Sequence, residues 1–255
     1  MPTPTSYPSK DAARRAAWDA LQEQRAARFP YPPHGRIPNF AGADSAASRL
    51  LAHPRLAEAR AIKANPDAPQ RPVRLGALER GITVYMPTPR LRGGFHRLDP
   101  ERIPPGHLKE AASLSKGARW AEAVPLRALA EPIDLIVTGS VAVTRGGKRC
   151  GKGHGYGDLE YAILRELGHP PIPVATSVHP LQMVGDFPAD PFDLPVSLIA
   201  TSEEIIEVAN PPAAPAGIDW QALPETALTE MPVLKALRGR RTAQDARSRQ
   251  GNPFS

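Results

Sequence analysis

The sequence predicts a three-layer α/β fold built on a mostly parallel central sheet and ending in a disordered basic tail. Three observations carry that expectation. Helical and extended patterns alternate from about residue 60 to residue 201, the order that parallel strands joined by right-handed crossovers require. The segment IDLIVTGSVAV from Ile133 is too continuously apolar and β-branched for a half-exposed edge, so it reads as a buried parallel strand. With 255 residues, 41% hydrophobic and 23% charged, the chain can close one large core, and its composition excludes a fibrous repeat and wholesale disorder.

Residues 1–8 are rich in Pro, Thr and Ser and read as a flexible lead-in to Ser9, a candidate N-cap. From Lys10 to about Arg28 helix formers dominate, with Ala17, Trp18, Leu21 and Ala26 as an apolar stripe. Prolines 30, 32, 33 and 38 then force an extended crossing, after which GADSAASRLLA resumes a helical pattern. Residues 60–64 read as a short strand closed by the turn Asn65-Pro66-Asp67. PVRLGALERG reads as a helix stopped by Gly81, and ITVYMP (82–87) as a strand. Beyond the Ile133 strand lies a glycine cluster, Gly146 to Gly157; DLEYAILRELG then places Leu159, Ile163 and Leu167 on one helical face with Gly168 as the stop. IPVATS (172–177) and VSLIAT (196–201) are the remaining strands. A short helix-compatible stretch surrounds Leu234, and residues 239–255 are expected to be a disordered tail after one domain spanning 9–238.

Formal net charge is +6, but its location matters more than its sign. Lys235, Arg238, Arg240, Arg241, Arg247 and Arg249 face only Asp245 in one terminal run, and the rest of the chain is nearly balanced. A solvated end therefore explains the charge, and no nucleic-acid partner is expected. Cys150 is the only cysteine, so no disulfide framework and no CxxC site is possible, which fits a reducing compartment. No apolar run approaches the 18 or so residues of a membrane span and the N-terminus lacks a secretory h-region, so a cytoplasmic monomer is expected. The seven histidines lack H-x-H and H-x-x-x-H spacing, and no G-x-S-x-G elbow occurs, which argues against zinc and serine-hydrolase chemistry.

TRGGKRCGKGHGYGDLEYAIL (144–164) lies where a central strand meets a helix, the position at which open α/β sheets place ligands. Its glycines allow positive φ angles and close anion approach, the helix start adds unpaired N–H groups, and Lys148, Arg149 and Lys152 supply charge. These features describe a phosphate cradle. Gly146-x-x-x-x-Gly151-Lys152 nearly spells a P-loop but continues with Gly153 where Ser or Thr should hold magnesium. A dinucleotide fingerprint fails as well, because Tyr156 stands where the third glycine of Gly151-x-Gly153-x-x-Gly belongs.

The run from Arg149 to Asp158, R-C-G-K-G-H-G-Y-G-D, resembles the R-x-G-x-G-x-G-Y-x-D signature of the 5-formyltetrahydrofolate cyclo-ligase family. Lys10 and Arg14 match that family's N-terminal lysine–arginine spacing, IDLIVTGSVAV its buried strand, and FDLPVSLIATSEEI its late D-x-P-x-x-x-I-x-T-x-E segment. KANPDAPQRPVR and MPTPRLRGG resemble a cyclo-ligase-like paralogue branch, some of whose members lack the folate activity and have been linked to thiamine metabolism. The resemblance implies an ATP- and magnesium-dependent enzyme that phosphorylates the formyl oxygen of 5-formyltetrahydrofolate and closes the ring to the 5,10-methenyl product. It implies that Lys10, Arg149 and Lys152 are catalytic, and that Lys10, Arg14, Arg149, Gly151, Lys152, Gly153, His154, Gly155 and Tyr156 hold ATP. Asp158 and Asp193 would face Mg2+, with a folate or another heterocycle as the small-molecule substrate. Duller roles stay open: Asp158 as an N-cap, Asp193 in an Asx-turn, and Tyr156 as packing. Where the family's folate pocket uses a glutamate and a threonine, GADSAASRLL offers Asp44 and Ser45, so a nucleotide-binding paralogue without cyclo-ligase turnover is the alternative reading.

Overall fold

The computed structural model describes residues 5–125, 129, 131–223 and 225–250. Helix α1 (Lys10–Glu23) is capped by Ser9, whose hydroxyl accepts the Ala12 N–H at 3.1 Å. It stops short of Arg28, because Arg25 adopts φ 54° and turns the chain into β1 (Ala27–Arg28), which pairs antiparallel with β2 (Asn39–Phe40) across the proline crossing. Helices α2 (Ala43–Ala52) and α3 (Pro54–Ala57) lead to β3 (Ala61–Ala64), α4 (Arg71–Glu79) and β4 (Thr83–Pro87). β5 (Phe95–Leu98), α5 (Leu108–Ala111), α6 (Leu114–Gly117), β6 (Glu122–Val124) and β7 (Leu135–Val137) follow. After them come β8 (Ala142–Val143), β9 (Arg149–Cys150), α7 (Tyr156–Glu166), β10 (Val174–Ser177), β11 (Leu198–Ala200) and β12 (Ile205–Glu207). Helices α8 (Glu225–Glu230) and α9 (Pro232–Gln250) end the described chain.

Eight strands form one sheet in the order β12-β11-β10-β7-β3-β4-β5-β6. The inner five are parallel; at the margins β12 and β5 run antiparallel to them, and β6 pairs antiparallel with β5. Alternate residues face two cores. Ile136, Val174, Ile199 and Tyr85 meet α7, α8 and α9 on one side. Ile62, Val84, Val137, Ala175 and Leu198 meet α2, α3, α4 and α5 on the other. This is the expected three-layer arrangement with a mostly parallel sheet.

Three segments depart from the sequence reading. IDLIVTGSVAV is not one strand: β7 ends at Val137, Thr138 to Ser140 leave the sheet, and β8 forms a separate hairpin with β9. Hydroxyls steer that exit, since Thr176 donates to the Thr138 carbonyl at 2.8 Å and pairs with Ser140 Oγ at 2.8 Å. Thr5 and Tyr7 are not loose but exchange main-chain hydrogen bonds with Asp186. Helix α9 continues to Gln250, past the boundary drawn at residue 238. Between Arg240 and Gln250 there is no Gly or Pro, and Ala, Arg and Gln carry helix propensity even where apolar content is too low to forecast a core.

The chain leaves β3 toward β4 on one side and leaves β7 toward β10 on the other. The order of strands therefore reverses between β3 and β7. At such a point the connections diverge beyond the carboxyl ends of the strands and leave a crevice.

Candidate active site

The glycine cluster divides into two parts. Gly146, Gly147 and Lys148 form the turn of the β8–β9 hairpin, where the Gly147 N–H donates to the Thr144 carbonyl and the Lys148 N–H to Thr144 Oγ1. A Cβ on Gly147 would lie 2.5 Å from the Val196 carbonyl oxygen, so glycine is needed there for close packing. Lys148 turns away to Asp186 at 2.6 Å. These three residues do not contribute to an anion cradle.

Residues 151–155 behave differently. Among the described residues no hydrogen-bond acceptor takes the main-chain N–H of Gly151, Lys152, Gly153, His154 or Gly155. Gly153 (φ 102°) and Gly155 (φ 67°) occupy the left-handed region, and Gly155 is the N-cap of α7. The helix thus begins at Tyr156, ahead of the start read from the sequence, and its first turn adds unpaired N–H groups beside the loop.

Two cavities flank this loop. One, of 540 Å³, is lined by Lys10, Arg14, Arg149, Gly151, Gly153 to Tyr156, Asp158, Asp190 and Asp193, with an apolar end formed by Leu159, Ile218, Leu223 and Met231. Lys10 and Arg14 stand one turn apart on α1 and both reach it. Arg14 Nε donates to the Gly151 carbonyl at 2.6 Å, which fixes the loop to the helix, and its terminal nitrogen pairs with Asp11. Lys10 bridges Asp190 and Asp193, at 2.7 Å to Asp193 Oδ1; burial opposes its charge, but the two carboxylates outweigh that and hold its pKa above the ordinary lysine value. Asp193 Oδ2 also accepts the Asp190 N–H, so it closes a turn backward along the chain.

Arg149 is the buried centre of the site, 4% exposed. Its guanidinium donates to the Leu194 carbonyl (3.1 Å), the Gly139 carbonyl (2.9 Å) and Asp158 Oδ1 (2.6 Å). Asp158 is the third residue of α7, not its cap, and also accepts the Leu194 N–H at 2.9 Å. Burial pushes the Cys150 thiol up despite Arg14 and Arg149 nearby, so it stays protonated and inert at neutral pH.

The second cavity, of 470 Å³, occupies the crevice between the carboxyl ends of β3, β4 and β7. It is lined by Asn65, Asp67, Thr138, Gly139, Lys152 and Glu160, and by the loop from Thr88 to Leu91. Lys152 faces this side, its ammonium 3.9 Å from Asp67, and does not line the cavity that holds Lys10 and Arg14. Beneath it lies a buried ion pair that the sequence reading missed: Lys63 of β3 with Glu160 of α7, Asn65 Oδ1 accepting from Lys63 at 2.8 Å. Burial raises the Glu160 pKa, and Lys63 counters it. Arg74, buried in α4, donates to the carbonyls of Asn65, Asp67 and Ala112 and thereby fixes the turn that presents Asp67. Burial depresses its pKa to about 10, so it remains charged at neutral pH. A lysine between Ile62 and Ala64 in an otherwise apolar strand and a glutamate on an apolar helical face were the signals available for the pair.

Asp158, Asp190 and Asp193 share the rim of the first cavity. No group of three or more metal-ligating side chains occurs among the described residues. Magnesium shared with phosphates needs only one or two carboxylates and keeps several waters, so these aspartates fit such an ion.

The family model described as the 5-formyltetrahydrofolate cyclo-ligase family matches residues 7–202. The chain belongs to this family. Among curated relatives, a methenyltetrahydrofolate synthase domain-containing protein of Mus musculus is 42% identical over 242 residues, covering 91% of this chain and 64% of that protein. The protein of the same description from Homo sapiens is 37% identical over 245 residues, covering 91% of this chain and 62% of its own length. The chain thus spans less than two thirds of the length of the curated relatives it matches. An NMR structure of Aquifex aeolicus 5,10-methenyltetrahydrofolate synthetase aligns with TM-score 0.50 and 15% identity, covering 84% of this chain and 99% of that one. At that identity the likeness concerns the cyclo-ligase fold. No helix among the described residues is long and apolar enough to cross a membrane.

Proposed function

We propose that this cyclo-ligase family member uses ATP to activate an amide-like oxygen on a formylated pterin or related heterocycle and closes a ring. The observation that carries the reading is the stretch of unclaimed main-chain amides at Gly151 to Gly155, on the cavity wall that Lys10 and Arg14 also line. A triphosphate there would receive those amides, the first turn of α7 and the α1 cations together. Arg14 is poised for phosphate contact while steadying the loop through Gly151. Lys10 would exchange Asp190 and Asp193 for phosphate oxygens, freeing both carboxylates for magnesium, which when bound supplies charge neutralisation between phosphates. The formyl oxygen takes the terminal phosphoryl group as ADP leaves; a ring-closing nitrogen then attacks the formyl carbon, and inorganic phosphate departs with the original oxygen. Positioning and charge, not a protein nucleophile, do this work.

Incubation with ATP, magnesium and 5-formyltetrahydrofolate should release ADP in step with the absorbance of the methenyl product. ATP-analogue binding with neither signal would refute turnover on this substrate. It would support the alternative reading, a nucleotide-binding paralogue without cyclo-ligase turnover.

A further inference from the structure

The cavity beside the glycine loop is closed by a stretch of chain that the family match does not reach. That match ends at residue 202, whereas Ile218, Asp219, Ala222, Leu223 and Met231 all line the first cavity together with Leu159 and Ala162 of α7. Glu166, in the last turn of α7, holds this segment in place: its Oε1 accepts the Ile218 N–H at 3.1 Å and the Trp220 indole N–H at 3.3 Å. A Cβ on Gly217 would lie 2.9 Å from the same oxygen, so the chain passes close over it. Ile218 and Met231 are buried in the core that also holds α7. The segment is therefore a wall packed on the helix that begins at the glycine loop.

The polar and apolar parts of the cavity are set apart along α7. The unclaimed amides and the left-handed Gly153 and Gly155 stand at its N-terminus. Leu159 and Ala162 come three and six positions after Tyr156, about 4.5 Å and about 9 Å along the axis. A nucleotide has the same division, with charged phosphates at one end, a flat apolar ring at the other and a ribose between. Asp219 is the polar exception at the apolar end. Its Oδ1 accepts the N–H groups of Gln221 and Ala222 at 2.9 Å and 3.2 Å, and its Oδ2 has no partner among the described residues.

We propose that residues 215–231 form a base-binding wall, which seats the ring of a nucleotide whose phosphates occupy the glycine loop, with Asp219 accepting the exocyclic amine of an aminopurine. The proposal rests on the nucleotide reading above and adds the residues that make the site selective for the base. A flat ring gains by leaving water for apolar side chains, and a free carboxylate oxygen accepts an N–H but repels a keto oxygen in the same position. The volume of 540 Å³ lies within the ordinary range of small-molecule sites.

Calorimetry of the full chain in magnesium, with a non-hydrolysable ATP analogue and with inorganic tripolyphosphate, separates the base from the phosphates. The parent should bind the analogue about tenfold or more tighter than tripolyphosphate, and tighter than the matching inosine analogue. Ala222→Trp places a large ring at an exposed position of the wall. It should fill the seat and weaken the ATP analogue about tenfold or more while leaving tripolyphosphate affinity unchanged. Asp219→Asn keeps an acceptor for the Gln221 and Ala222 N–H groups but turns an amide donor toward the ring. It should weaken the ATP analogue about tenfold, abolish the preference over the inosine analogue and cause no loss of tripolyphosphate affinity. Equal affinities of the parent for the ATP analogue and tripolyphosphate would overturn the wall and leave the phosphate cradle standing. Unchanged analogue affinity in Ala222→Trp, an unaltered base preference in Asp219→Asn, or equal losses for both probes in either variant would overturn it as well. A parent that binds neither probe overturns the wall together with the nucleotide reading. The expected pattern in a protein that forms no methenyl product upholds the wall while ring closure fails.

Discussion

Lys63 and Glu160 meet in the interior with 1% and 4% of their side chains exposed. Removing one member of such a pair strands a charge, which costs roughly 3–5 kcal/mol, whereas replacing both with well-packed apolar groups is often neutral or better. Lys63→Met should therefore lower stability by about that amount, and Lys63→Met with Glu160→Leu should recover most of it. Denaturant titration of the parent, the single and the double variant checks both halves. On the nucleotide side, Arg14→Ala should weaken ATP-analogue binding by roughly 1.5–3 kcal/mol, through a lost charge-assisted contact and a loosened Gly151. Lys152→Ala should have the smaller effect, because its ammonium faces Asp67, and calorimetry of the two variants ranks them. At this scale the sequence made Lys10, Arg14 and the loop glycines visible through spacing. It could not say which way Lys148 and Lys152 would turn, since neighbours far along the chain, Asp186 and Asp67, decide that. Nor could it pair Lys63 with Glu160, which depends on the register of α7 over the sheet.

At the level of elements, the short 3-10 turn Pro180–Gln182 shows how a cap can report pH. His179 Nδ1 accepts the Leu181 N–H at 3.1 Å, and Gln182 Oε1 accepts the His179 N–H at 2.8 Å. Gln182 also donates to the carbonyls of Ser140 and Val141, tying the turn to the chain where it leaves β7. Burial lowers the His179 pKa, with Glu203 opposing. A base whose folded pKa lies below its unfolded value of about 6.5 takes up its proton more readily when unfolded, so its stabilising contribution is complete above that value and falls as pH drops through it. His179→Asn keeps an acceptor at the cap and should flatten this component. Denaturation midpoints at about pH 7.5 and about pH 5.5 should differ less in the variant than in the parent. Elements in the middle of the sheet were legible because continuous apolar runs leave little choice of structure. The margins were not: FHRL, EAV and IIE become strands β5, β6 and β12 through pairing with a neighbour already in place. The β8–β9 hairpin was hidden for a related reason, since only Thr138, Gly139 and Ser140 interrupt an otherwise unbroken β-branched run.

For the molecule as a whole, the two cores differ in what closes them. Met231, just before α9, and Val233, Leu234 and Leu237 in its first turns complete the layer that also holds α7, whereas the terminal arginines, Arg238 onward, lie further along the helix. Removing residues 239–255 should shift stability by no more than about 0.5 kcal/mol, since Gly239, Arg240 and Arg241 are exposed. Removing 231–255 takes four buried side chains from the core and should destabilise by several times that amount. Thermal unfolding of the two truncations separates these outcomes and tests the domain boundary placed near residue 238.

Arg149, Gly151, His154, Gly155, Tyr156 and Asp158 line both cavities, and Arg149 ties this shared wall to Gly139, Asp158 and Leu194. A load on one flank is felt on the other, and any influence of the first guest on the second must be returned in equal measure. Titrating each guest with and without its neighbour should yield one shared coupling factor, and two independent isotherms would mean that the partition is rigid.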